Sequence, residues 1–353
     1  MSSRGNQLAI GWVEQGLLPD RVVRLGIRRL LKVSLVEIGD GDAQVSARLA
    51  EAFVAALPSS AVALSPDKAN EQHYEVPAEF FARVLGPSHT AQVSRVLAAD
   101  PIAGCMVAAR FEQVGMNEAA LGGQFWGVAG GRDGLIFAGA SMVPLAGDTA
   151  AMRSFAHIAG RRGRKCATIL GPADLVLPLW ERLEPRWGSA RDVRADQPLM
   201  ACPGDPFGPV DHDVRPVRPD QLEVYFPAAV AMFTEEVGVD PRIGDNGRGY
   251  RARIADLIAG GRAFASFDGD RVMFKAEIGS LSQRVALIQG VWVHPDLRGQ
   301  GRAAPGMSAV VRAIQHNLGR VPSLYVNQYN QRALRAYRRI GFRQVGRFAS
   351  VLF

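Results

Sequence analysis

The chain has 353 residues, 48% of them hydrophobic, and carries a formal net charge of +7. That length is ample for two globular domains, and the apolar share excludes a disordered chain. Nowhere do roughly eighteen apolar residues run together, and Met1-Ser2-Ser3-Arg4 leads into no apolar signal core, so membrane insertion and a secretory leader are not read and a cytoplasmic protein is expected.

Residues 1–88 read as a helical segment of their own. Arg21 to Val36 sets Arg21, Arg24, Arg28, Arg29 and Lys32 beside Val23, Ile27, Leu30 and Leu31, a basic amphipathic pattern that suits a packed helix with a solvated face better than a membrane surface. A second helix is expected over Val45 to Leu57. The string Asn70-Glu71-Gln72-His73-Tyr74-Glu75-Val76-Pro77, with Gly16-Leu17-Leu18-Pro19-Asp20, resembles the opening of the cyclopropane-fatty-acid-synthase-like methyltransferases. No strand with a glycine loop for S-adenosylmethionine follows, so this part is read as truncated before that site, and His73 and Glu75 carry no chemistry.

Residues 89–205 alternate helix and strand. Helices are expected over Thr90 to Ala98, Ala150 to Gly160 and Leu175 to Leu183. Strands are expected over Gly123 to Val128, Leu135 to Val143 and Ala167 to Leu170, the first two joined by a glycine-rich hairpin turn. Five prolines between Pro203 and Pro219 mark a linker. Residues 211–353 then run as a strand over Asp213 to Val217, a helix capped by Asp220 and reaching Thr234, and a helix over Tyr250 to Ile258. A hairpin of Ala263 to Phe267 and Val272 to Ile278 turns on Asp268-Gly269-Asp270.

The apolar strand Ala286 to Val293 leads through His294-Pro295-Asp296 into Arg298-Gly299-Gln300-Gly301-Arg302-Ala303 and a helix over Pro305 to Leu318, stopped by Gly319. Strand, glycine turn and helix N-terminus make an anion cradle, because the glycines let backbone approach closely and the first N–H groups of the helix point at the same place. No Gly-Lys-Ser or Gly-Lys-Thr follows, which excludes a nucleoside-triphosphatase loop, and the spacing is not that of a dinucleotide fold. Arg298-x-x-Gly301-x-Ala303, followed by Tyr325-Val326-Asn327 and Asn330-x-x-Ala333-x-x-x-Tyr337-x-x-x-Gly341-Phe342, resembles the acetyl-coenzyme A signature and following helix of the GNAT N-acetyltransferase superfamily.

That resemblance implies a fold and a chemistry. The fold would be α/β (α+β): tandem acyl-CoA N-acyltransferase folds with mixed central sheets flanked by helices, the copy at 89–205 degenerate and without a phosphate loop, the copy at 211–353 catalytic. The cosubstrate would be acetyl-CoA. The donor would be held by backbone groups of Val291 and Val293, by Arg298, Gly299, Gln300, Gly301, Arg302 and Ala303, and by Asn330. Tyr337 would protonate the leaving thiolate, against the reading of a core tyrosine. Glu277 would be the base, with Glu235 and Glu236 at the end of the first helix as alternatives, and His294 would be structural. The acceptor would be a small-molecule or peptide amine, and a non-catalytic acyl-CoA-binding or regulatory protein stays open beside the enzyme. Ten arginines and no acidic residue follow Asp296. With the cradle inside that run and no repeating interleave of exposed aromatics with the arginines, a phosphate-bearing small molecule explains the charge better than nucleic acid. Cys105, Cys166 and Cys202 are odd in number and far apart, and the histidines never cluster, so neither disulfides nor a metal are expected.

Overall fold

The computed structural model describes residues 82–128 and 134–353, together with isolated positions 28, 42, 44, 45, 47, 48 and 51. The expected helix Arg21 to Val36 and the methyltransferase-like string lie outside the described residues, apart from helical Arg28. Gln44, Val45, Ala47, Arg48 and Glu51 are helical, with Asp42 Oδ1 accepting from the amides of Gln44 and Val45 at 2.8 and 3.2 Å. From Ala82 onward all described residues fall in one compact unit, Pro77–Phe353.

Six strands and five helices make the first part: β1 (Ala82–Val84), α1 (Thr90–Ala99), α2 (Cys105–Val114), α3 (Glu118–Leu121), β2 (Gly123–Val128), β3 (Leu135–Gly139), β4 (Ser141–Ala146), α4 (Thr149–Arg162), β5 (Thr168–Pro172), α5 (Ala173–Trp187) and β6 (Asp192–Ala201). The second part repeats the order: β7 (Arg215–Pro216), α6 (Leu222–Val237), α7 (Arg248–Ala259), β8 (Ala263–Asp268), β9 (Arg271–Leu281), β10 (Val285–Val293), α8 (Ala303–Arg312), a π-helical turn Ala313–Leu318, β11 (Val321–Tyr325), α9 (Gln331–Arg339) and β12 (Arg343–Leu352).

The described strands form one sheet in the order β1-β2-β3-β4-β5-β12-β6-β11-β10-β9-β8-β7. Exchanging each strand with the one six positions away turns this order into its own reverse. The pairing senses obey the same exchange: β4 with β5 and β10 with β11 are parallel, and the remaining ladders are antiparallel. The chain is therefore an internal duplication. Each repeat places its sixth strand against the fifth strand of the other, and β6 and β12 meet at the centre over Asp192 to Ala201.

Four apolar layers follow from that plan, one on each face of each half. In the first half α4 and α5 lay Met152, Phe155, Val176, Leu179 and Leu183 on one face, and α1, α2 and α3 bring Val93, Phe111 and Leu121 to Phe125 on the other. In the second half α8 and α9 bring Met307, Val310, Leu334 and Tyr337, and α6 and α7 bring Tyr225, Ile254 and Leu257. With both faces covered, these strands read as near-continuous apolar runs.

Two local expectations are corrected. Leu135 to Val143 is two strands, because the chain reverses at Gly139-Ala140-Ser141 and sets Ala138 against Met142. Asp220 does not cap α6: it pairs with Arg218, Nη2 to Oδ2 at 2.9 Å, while Gln221 stands at the N-cap without a side-chain bond.

Candidate functional site

The site is built where β10 and β11 separate. They pair in parallel only over Val285–Leu287 against Val321–Ser323, and beyond Leu287 the strands part. On its other edge β10 stays with β9, but its register slips between Gln289 and Trp292, so two residues of β10 stand against one of β9. Gly290 sits in that bulge with φ +58°, a left-handed conformation that suits glycine. A methyl group there would stand 2.9 Å from Met232 Cε, 3.2 Å from Lys275 Nζ and 3.3 Å from Glu277 Oε2.

Directly beneath the bulge lies a closed polar cluster. Lys275 and Glu277, alternate residues of β9 and so on one face of it, are 0% and 1% exposed. Lys275 Nζ donates to Glu277 Oε1 at 2.7 Å and to the Gly290 carbonyl at 3.1 Å. Tyr225, from α6, donates its hydroxyl to the same carboxylate oxygen at 3.0 Å. Burial, with the Glu277 charge beside it, pushes the Tyr225 hydroxyl well above the usual tyrosine range.

At the open end of the wedge β10 passes through His294 and a short turn, Pro295–Leu297, into the cradle. Gly299 and Gly301 have φ +82° and +78°, and nothing lies within 4 Å of a Cβ built on either. Arg302 is the N-cap of α8 and makes no side-chain cap bond, leaving the first-turn donors of that helix without a capping side chain. Gly306 brings the helix close to the sheet, where a Cβ would meet the Phe274 ring at 2.8 Å. The matching helix of the first repeat is different: the Asp148 carboxylate caps α4, accepting from the Ala151 amide at 2.8 Å. The wedge beside it, between β4 and β5, is a cavity of about 570 Å³ lined in part by Leu145, Gly147, Pro172, Asp174 and Arg347.

The expected site residues converge unequally on the wedge. Arg298 is held fast: its Nη2 meets Glu235 Oε2 at 2.7 Å, its Nε donates to the Val293 carbonyl at 3.0 Å, and its guanidinium lies 5.9 Å from the Trp292 ring, whose indole N–H reaches Glu235 as well. Gln300 braces the turn from within, donating Nε2 to the Asp296 carbonyl at 2.9 Å. Asn330 caps α9 with Oδ1 on the Ala333 amide at 3.1 Å. Tyr337 is 7% exposed in the layer between α9 and the sheet, and burial, with Glu236 a lesser cause, raises its hydroxyl pKa. Glu236, at the end of α6, is exposed by residue area, yet its carboxyl stands among enough protein to be raised by desolvation; Arg194 and Lys275 pull it back down and Glu277 adds to the rise. His294 stacks edge-on against Trp292 and meets Arg271 and Asp296 at the rim.

Strand β6 of the first repeat completes the wall. Gln197, 3% exposed, accepts from Ser350 Oγ at 2.6 Å and donates to Asn327 Oδ1 at 2.8 Å. The carbonyls of Pro198 and Asp196 accept from the amides of Val326 and Gln328. Arg191 and Arg194 donate to the carbonyls of Val237 and Glu236, where cations suit a helix C-terminus. The loop leading to Asn330 and the end of α6 are thus held from the other repeat. Among the described residues no cluster could hold a metal, no helix is long and apolar enough to cross a membrane, and the three cysteines are free and buried.

Residues 233–342 match the model of the acetyltransferase (GNAT) family, and residues 123–225 match DUF4081, a domain of unknown function. No curated protein matches the chain in sequence. Among solved structures, a Drosophila protein is 14% identical over 77% of this chain and 98% of its own, with a TM-score of 0.52. A GCN5-related N-acetyltransferase from Sphaerobacter thermophilus is 16% identical over 76% and 93%, with a TM-score of 0.48. A tandem GNAT protein from the clavulanic acid biosynthesis pathway is 13% identical over 77% and 98%, with a TM-score of 0.43. The family match falls on the repeat that bears the cradle, and the strand order carries the same fold into the repeat that does not. The second repeat therefore carries an acetyltransferase domain of the GNAT family, and the first repeat shares its strand order.

Proposed function

We propose that the chain is an acetyl-CoA-dependent N-acetyltransferase that moves the acetyl group from the thioester to an amine by direct attack in a ternary complex. The observation that carries this reading is the wedge between β10 and β11 opening directly onto an uncapped helix N-terminus. The wedge offers unpaired strand edge to an extended, amide-bearing arm. Gly299 and Gly301, with Arg302 and Ala303, leave room for a pyrophosphate at the end of it. Arg298 and Gln300 hold the loop in shape, Val291 and Val293 supply backbone groups to the arm, and Asn330 stands at the start of the helix on its far side.

In this reading the acceptor arrives as an ammonium and gives one proton to Glu236, whose raised pKa makes it a stronger base than an ordinary carboxylate, which leaves a neutral nitrogen. Nitrogen then bonds to the thioester carbon, and backbone N–H of the bulge receives the oxyanion. As the carbon–sulfur bond breaks, the electron pair leaves on sulfur; Tyr337, kept protonated by its burial, gives its proton to the thiolate and regains one from the proton that the new amide nitrogen sheds. Glu277 has both its neighbours in hand and no opening to the acceptor, so we give it a holding role. The acceptor is a small-molecule or peptide amine. A cytoplasmic setting suits three free cysteines. Calorimetric titration with acetyl-CoA, followed by thiol release across a panel of amines, tests the proposal. Donor binding without acceptor-dependent thiol release on any amine refutes it.

A further inference from the structure

The Lys275 ammonium is the feature of this site that a transferase framework does not by itself require. It is fully enclosed, it has one carboxylate partner, and its second bond goes to a backbone carbonyl in the bulged segment of the donor strand between Gln289 and Trp292. A lysine at a strand position would ordinarily send its charge to solvent, and a closed ion pair in a core is seldom more stable than an apolar pair of the same volume. What it does here follows from the peptide it touches.

The Gly290 carbonyl and the Val291 N–H belong to one trans peptide unit, in which carbonyl and N–H point in opposite directions. Lys275 holds the carbonyl 3.1 Å from Nζ on the α6 side, so the N–H faces the other way. A cation on the carbonyl also withdraws electron density through the peptide and strengthens its N–H as a donor. Glu277 and Tyr225 fix the ammonium in place, 2.7 and 3.0 Å along the chain of contacts. Only a residue without Cβ lets the bulge come this close, since a methyl group on Gly290 would press on both charged side chains.

Resting on the transferase reading above, we propose that Lys275 is a positioning residue for acyl transfer: held by Glu277 and Tyr225, it turns the Gly290–Val291 peptide and polarises the Val291 N–H as the hydrogen-bond donor to the thioester oxygen. Lys275 touches neither donor nor acceptor. It acts through one peptide plane on the oxygen that becomes negative.

The test compares the wild-type protein with Lys275→Met/Glu277→Leu/Tyr225→Phe, which removes both charges together with the buried hydroxyl that Glu277 accepts from. Acetyl-CoA labelled with carbon-13 at the acetyl carbonyl is bound without acceptor, and its carbonyl stretch is read by infrared difference spectroscopy. Expected is a donor affinity within about threefold of wild type, a carbonyl stretch moved back toward its value in water, and a kcat lowered roughly tenfold, a fraction of what losing a whole oxyanion donor brings. An unmoved carbonyl band with kcat within about twofold overturns the proposal. Glu277→Asp, which keeps a carboxylate for the ammonium, serves as the second variant and keeps a lower carbonyl frequency than the triple variant; the acid limb of the pH–rate profile persists in the triple variant, where no residue 277 carboxylate remains. Loss of that limb in the triple variant makes Glu277 a base and overturns the assignment. Failure of the wild-type protein to bind acetyl-CoA is a separate outcome, which removes the transferase reading and this inference with it.

Discussion

The charge at position 301 decides whether the glycine loop is a phosphate cradle. Replacing Gly301 by Asn and by Asp gives two side chains of nearly the same shape. Both residues tolerate the left-handed region better than most, so the strain at φ +78° is largely shared between them. Open space around the Cβ position removes any steric difference, since nothing lies within 4 Å of it. What separates the variants is one carboxylate against a phosphate charge at about 5 Å, which costs about 0.8 kcal/mol in a water-like medium and about 3.3 kcal/mol at the effective dielectric of a protein surface. Donor affinity of Gly301→Asp should therefore be about fourfold to 250-fold weaker than that of Gly301→Asn. Calorimetry with acetyl-CoA at low salt and at about 0.5 M salt measures the gap, which narrows as ions screen it. Acetyl-pantetheine, which lacks the pyrophosphate, should not tell the variants apart. Equal acetyl-CoA affinities for Asn and Asp at low salt would refute the cradle.

Glu236 carries a pH prediction. Its pKa is raised in the folded protein, so its base form appears only above that raised value. Accordingly kcat/KM falls as pH drops through a midpoint above the ordinary carboxylate range of about 4.3, and Glu236→Gln flattens that limb while lowering kcat by roughly 10²- to 10⁴-fold. Arg194 pulls the Glu236 pKa down, so Arg194→Ala should move the limb to higher pH; a limb that stays put, or one that survives in Glu236→Gln, points to another base. The strand exchange makes a second prediction: residues 211–353 expressed alone lose β6, which pairs with both β11 and β12 and buries Leu199, Met200, Ala201 and Cys202. That fragment should aggregate through its bared strand edge. A monomeric fragment with cooperative unfolding and wild-type affinity for acetyl-CoA would show that the second repeat stands without the first.

Local chemistry was readable in the sequence, and contacts across long separations were not. The Arg298–Ala303 loop, its strand and its helix lie in one continuous segment, and the Asp268-Gly269 hairpin is written in four residues. The exchange of β6 and β12 leaves no such trace, because a strand of Pro198-Leu199-Met200-Ala201 looks alike whichever repeat it pairs with. Asp220 was misread because a cap and a neighbouring arginine compete for the same carboxylate, and Arg218, two residues away, wins it. The Lys275 cluster had a signal that sequence reading passed over. An isolated glycine in a strand marks a bulge or a close approach of another group, and two opposite charges at i and i+2 within an apolar strand share one face.

The duplication also explains how one chain comes to hold two wedges and a single cradle. Both repeats part their fourth and fifth strands after a short parallel ladder, and both follow the fourth strand with a helix. In the second repeat that helix begins without a side-chain cap beside two left-handed glycines. In the first, one of the corresponding donors, the Ala151 amide, already serves a carboxylate of the chain itself, Asp148, and a phosphate arriving there would meet a negative charge. The Asp148 cap sets the first repeat apart from the second, yet the first repeat contributes to the second. Its last strand holds the Asn327 loop through Gln197 and steadies the end of α6 through Arg191 and Arg194, so the geometry around Asn330 and Glu236 is set by residues that lie more than a hundred positions upstream of the loop and about forty upstream of the helix end. A repeat without a cradle of its own thus holds the loop before Asn330 and the end of α6 in its neighbour through its last strand and the residue before it.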